Sequence, residues 1–188
     1  GWSLGARVLT RTQEQDTRIS AIVEWDNLAT SETGDIGSPQ CTNQPATLRT
    51  PRVPALGQAS DTCIDGRSVD SKKNGFNRWR QFGQPVMQVV FRGANHFWWS
   101  GPASNQNQYD IADHYTKNWF DRWLKGDQNA TTRLLARTIV NNTTIDSLLS
   151  QSFNSGVFFD GYNCEDMRTA CQRSGQTATI SGRVTRAN

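Results

Sequence analysis

Two hydrophobic periods alternate along the first 126 residues, and that alternation constrains the fold more than any other feature. Pro85-Val86-Met87-Gln88-Val89-Val90-Phe91 is the clearest strand-like run, followed by the loop Arg92-Gly93-Ala94-Asn95-His96. Tyr109 to Leu124 carries the clearest helical period: Ile111, Tyr115, Trp119 and Trp123 are spaced by four, with Ala112 and Phe120 beside them and Gly126 as the stop. Upstream, Ala6–Leu9 opens a short helix and Arg18–Trp25 reads as a buried strand. Val53–Gly57 reads as a second strand closed by a polar loop, Gln58–Asp61, and residues 70–83 look helical, with Gly83 as the end. Residues 27–52, rich in Thr, Ser, Gly, Pro and Asn, read as a long excursion. Helix, strand, loop, strand, helix, strand, helix predicts an α/β fold with a mostly parallel sheet flanked by helices. Residues 1–126 form that domain. Residues 127–188, with one apolar stretch at Leu134–Val140, are expected as a C-terminal extension packed on it.

Composition removes several function classes. The net charge is +3 and the basic residues are scattered, which gives nucleic-acid binding little support. No stretch of about 18 apolar residues exists, so no membrane-spanning helix is expected. With only His96 and His114 present, a multi-histidine metal site is excluded, and neither a metal nor an organic cofactor is expected. The four cysteines form no C-x-x-C pair, which argues against a zinc ribbon or a thioredoxin-type motif. Spaced as they are, they suggest two disulfides, expected as Cys41–Cys63 and Cys164–Cys171, and an oxidising, extracellular compartment. Sequons at Asn129, Asn141 and Asn142 agree with that compartment.

Gly1-Trp2-Ser3-Leu4-Gly5 fits G-x-S-x-G, the nucleophile elbow. The chemistry explains the spacing. The serine sits on a sharp strand-to-helix turn, the glycines let strand and helix approach, and the helix that follows turns its positive end toward the serine. A serine nucleophile needs a base, and the base needs an orienting acid. His96, in the loop after the clearest strand, is the expected base, whereas His114 sits inside the long helix and reads as a packing histidine. Asp61, at the end of the loop after the second strand, is the preferred acid. Asp26, which follows the strand ending at Trp25, competes with it, and Asp65 and Asp70 read as solvated loop carboxylates. The Leu4 N–H, directly after the nucleophile, is the expected oxyanion donor. Trp2, Phe97, Trp98 and Trp99 are candidate pocket-lining residues.

With Gly1–Gly5, Arg18–Leu28, Val53–Asp61, Pro85–His96 and the helix Ala112–Gly126, the chain resembles the C-terminal portion of an α/β-hydrolase, close to secreted bacterial members of the dienelactone-hydrolase-like type. The order Ser, Asp, His is the one found in that fold. The Cys164–Cys171 tail resembles an ending of some secreted members. The resemblance implies several strands ahead of the elbow and an early loop that donates the second oxyanion N–H. The chain begins at the elbow, so it is expected to be the C-terminal half of the fold with its N-terminal strands missing, and to be inactive without them. The implied activity is hydrolysis of a small ester-like substrate through an acyl-enzyme, by Ser3, His96 and Asp61. The competing expectation is a non-catalytic domain of the same fold that offers a Trp-rich surface to carbohydrate or a protein partner.

Overall fold

The computed structural model describes residues 1–26, 28–29, 48–62, 73–100, 105–169 and 171–174. The expected Cys41–Cys63 pair, Asp65, Asp70 and most of the excursion after Asp26 lie outside them. A five-stranded sheet runs in the order β1 (Ile22–Trp25), β2 (Ala55–Ser60), β3 (Val86–Phe91), β4 (Gly156–Phe159) and β5 (Tyr162–Cys164). The first three strands are parallel, in the register Val23–Leu56–Met87, while β4 and β5 run antiparallel. The fold is therefore α/β, but its sheet is mixed rather than mostly parallel.

Side chains alternate across the sheet with period two. Ile22, Ala55 and Val86 face one side and pack with Phe76 and Trp79 of α2 (Asn74–Gln81) and Leu9 of α1 (Leu4–Gln15). Val23, Leu56 and Met87 face the other and pack with Ile111, Tyr115 and Trp119 of α3 (Gln106–Leu124). The spacing-by-four stripe is thus the core face of α3. That helix starts at a capping box: Asn105 accepts from the Gln108 N–H, and the Gln108 side chain accepts from the Asn105 N–H.

Gln58, Ala59 and Ser60 continue β2 instead of forming the expected loop, and all three are fully buried. Polar side chains are tolerated there because each has partners. The Gln58 amide donates to the Ala112 carbonyl at 3.0 Å and to the Thr116 hydroxyl at 2.9 Å, and Ser60 donates to Asp26.

The segment after 126 does more than pack on the domain. Past α4 (Asn129–Leu134) and α5 (Ile145–Leu148), β4 pairs directly with β3, and β5 returns through Asp160-Gly161, both at positive φ. An Asp-Gly pair between two short apolar runs is a hairpin signal in its own right. Leu134–Val140 is not one element: it leaves the end of α4 and reaches a 3-10 turn at Val140–Asn142. Cys164 and Cys171 form a disulfide with a Cα separation of 5.4 Å.

Candidate active site

Gly1 and Trp2 run parallel to the outer edge of β1. The Trp25 N–H donates to the Gly1 carbonyl at 2.8 Å and the Ser3 N–H to the Trp25 carbonyl at 3.3 Å. At Ser3 the backbone turns sharply into α1 with φ 55° and ψ −117°. Positive φ costs a serine on the order of 1–3 kcal/mol and persists only where the surroundings enforce it. Here the strand contact on one side and the helix on the other do so. A β-carbon on Gly1 would lie 2.6 Å from the Gly5 carbonyl carbon, which explains the first glycine of the motif. Gly5 itself has open space around its missing β-carbon, so the motif's second glycine answers no steric demand here.

Ser3 is half-buried, and its side chain makes no capping bond to the helix. The Leu4 N–H heads α1, where an N–H has no intrahelical acceptor and the helix dipole is positive. Both groups stand at the C-terminal edge of the parallel strands, where α/β sheets collect functional side chains.

Asp26 and His96 meet at the same edge. Asp26 follows the last residue of β1, and His96 lies in the loop after β3. His96 Nδ1 donates to Asp26 Oδ2, and both side chains are buried. This bond fixes the tautomer, leaving Nε2 as the imidazole's basic nitrogen. Asp26 is itself held in a strained conformation, φ 72°, by its N–H to the Gln58 carbonyl at 2.7 Å and by the Ser60 hydroxyl on Oδ1. A carboxylate with one oxygen on a buried hydroxyl and the other on the imidazole can hold that ring in one orientation.

Asp61 is not on His96. Its carboxylate accepts from the Ser150 hydroxyl and from the Gly93 N–H at 3.0 Å. Since β2 runs to Ser60, Asp61 occupies the same place after β2 that Asp26 occupies after β1, and neighbouring partners separate the two. Ser60, whose hydroxyl sets the Asp26 carboxylate, escapes sequence reasoning because the polar run Gln58–Asp61 reads as a loop.

Of the four candidate pocket residues, two are at the site. The Trp2 indole N–H donates to the His96 carbonyl at 3.0 Å, and its ring lies 5.0 Å from the imidazole. Phe97 stands edge-on to His96 at 5.2 Å and is 47% exposed. Trp98 and Trp99 turn inward instead. Trp98 stacks on Phe91 at 4.5 Å, and Trp99 is buried with its N–H on Gln58. Of the seven tryptophans, Trp2, Trp25, Trp98 and Trp123 are partly exposed and Trp79, Trp99 and Trp119 are buried.

His114 joins helices, as expected of a packing residue. It faces the Arg133 carbonyl at 3.2 Å, and burial holds its pKa below the usual histidine value. It lines a groove of about 440 Å³ whose lining includes none of Ser3, Asp26 or His96. Among the described residues no group of three or more His, Cys, Asp or Glu side chains could hold a metal ion, and no helix is long and apolar enough to cross a membrane. No protein-family model matches the sequence, and no curated protein matches it.

Proposed function

We propose that this chain carries the catalytic residues of a secreted serine hydrolase of the α/β-hydrolase type that cleaves a carboxylic ester or a related acyl bond. The observation that carries the reading is the strained Ser3 backbone at a strand-to-helix turn, on the sheet edge that also holds the buried Asp26–His96 pair. In this reading Ser3 Oγ attacks the acyl carbon while His96 Nε2 takes its proton. The same proton passes to the leaving oxygen, and water activated by His96 then releases the acid from Ser3. Asp26 holds the tautomer and stabilises the imidazolium. The Leu4 N–H stabilises the tetrahedral oxyanion, a contribution worth about 2.7–4 kcal/mol where such donors have been removed. Trp2 and Phe97 pack beside the imidazole and supply aromatic surface for the substrate. The Cys164–Cys171 disulfide supports an oxidising compartment.

Active-site labelling of the full-length gene product by a fluorophosphonate tests the reading. The label is expected on Ser3 and lost in His96→Ala. Asp26→Asn should lower kcat by about 10⁴, the effect of presenting the wrong tautomer. Labelling at another serine, or a larger loss in Asp61→Asn than in Asp26→Asn, would overturn the assignment.

A further inference from the structure

Asp61 and Ser150 remain outside that chemistry, yet they are organised with care. Ser150 is fully buried, and its hydroxyl oxygen accepts the N–H groups of Ser152 and Phe153, both at 3.1 Å. With its lone pairs occupied, its single proton goes to Asp61 Oδ1. The other Asp61 oxygen takes the Gly93 N–H, and the N–H groups of Asp61 and Thr62 both donate to the Ala94 carbonyl, at 3.0 and 3.2 Å. Three hydrogen bonds from one corner of β2 therefore hold the two residues that begin the turn into His96. The segment that supplies Ser150 grips the same loop from the other side. The Ser150 N–H donates to the Val90 carbonyl, the Arg92 N–H to the Leu148 carbonyl, and the Arg92 side chain to the carbonyls of Asp146 and Leu149.

We infer that Asp61 and Ser150 are a clamp that positions His96, and that residues 146–150 of the C-terminal segment are thereby part of the active-site support. The inference rests on His96 being the general base. Its physical basis is that a base must stand within hydrogen-bond reach of both the nucleophile and the leaving oxygen, and that a displacement of about 1 Å can cost about a hundredfold in rate. His96 has its own bonds to Asp26 and Trp2, but its loop is exposed at Arg92, Gly93 and Asn95 and is tied down mainly through Asp61 and the 146–150 segment.

The test uses the full-length gene product, with kcat of wild type and of the Asp61 and Ser150 variants expressed per fluorophosphonate-titrated site so that loss of folded protein does not register, and with His96→Ala assayed per mole of folded protein. Asp61→Asn and Ser150→Ala should each lower kcat about tenfold to hundredfold with KM unchanged, and the double variant should be no worse than the more impaired single one. Ser150→Thr, which keeps the hydroxyl, should stay within about threefold of wild type. Wild-type kcat in both single variants, with His96→Ala inactive, overturns the clamp and leaves the base intact; full turnover in His96→Ala overturns the base itself. One measurement needs no variant. In the wild-type protein the Gly93 amide, although on an exposed residue, should exchange its hydrogen as slowly as amides of β3, and exchange at the rate of an open loop refutes the clamp.

Discussion

Glu24 sets up a measurable pH dependence two residues from the proposed acid. Its side chain is wholly buried under α1, accepting from the Thr10 hydroxyl at 2.8 Å and the Ala29 N–H at 2.6 Å. Burial raises its pKa from 4.5 to about 8 against the opposing effect of those two bonds. The folded protein thus keeps the Glu24 proton up to about pH 8, while the unfolded chain releases it near 4.5. Between those values unfolding releases a proton, and each pH unit of increase favours the unfolded state by about 1.36 kcal/mol. The stabilisation is complete below the unfolded pKa and is lost as pH rises through the folded one. Glu24→Gln removes the titration and retains a single side-chain acceptor, a pH-independent offset of about 1–3 kcal/mol. Wild type should therefore lose about 3 kcal/mol relative to Glu24→Gln between about pH 5 and pH 7.5, whatever the offset. Urea unfolding followed by tryptophan fluorescence at several pH values measures this gap. A gap that is flat, or that moves in favour of wild type as pH rises, would refute the argument that Glu24 is buried as the neutral acid.

Two further outcomes follow from packing and covalent geometry. Phe97→Ala should raise KM for aryl esters about threefold to tenfold, the worth of one aromatic contact, while leaving methyl esters nearly unchanged; steady-state kinetics with both substrates decides it. Reducing Cys164–Cys171, which are seven residues apart, should destabilise the protein by about 2.5 kcal/mol on the chain-entropy model, or lower Tm by about 5–10 °C, and an unchanged melt in reductant would contradict it.

Local pattern carried much of this architecture. The apolar run ending at Phe91 and the spacing-by-four stripe of α3 are strong periods because each buries a continuous face, so β3 is legible to within one residue and α3 from Tyr109 onward, while its first turn from Gln106 carries no apolar signal. The G-x-S-x-G turn is legible in part because the backbone at Gly5 leaves no room for a β-carbon at Gly1. Polar residues misled where tertiary partners absorb their polarity. Gln58 and Ser60 look like loop residues in one dimension, yet they belong to a central strand because α3 and Asp26 satisfy them. The hairpin β4–β5 was legible in principle from Asp160-Gly161, but its strands are four and three residues long, too short for a period to stand out.

The choice between the two carboxylates shows the division most clearly. Sequence alone leads to the expectation of a carboxylate after a strand, at the sheet edge of Ser3 and His96, and it prefers Asp61 with Asp26 as the competitor. Only the tertiary structure shows which of the two carboxylates meets His96. A carboxylate has two oxygens, and those of Asp61 are taken by Ser150, 89 residues away, and by the Gly93 backbone, whereas Asp26 keeps one oxygen for His96 because Ser60 takes only the other. Partners that far apart in the chain leave no local period, so the competition for hydrogen bonds is settled when the strands pack and not before.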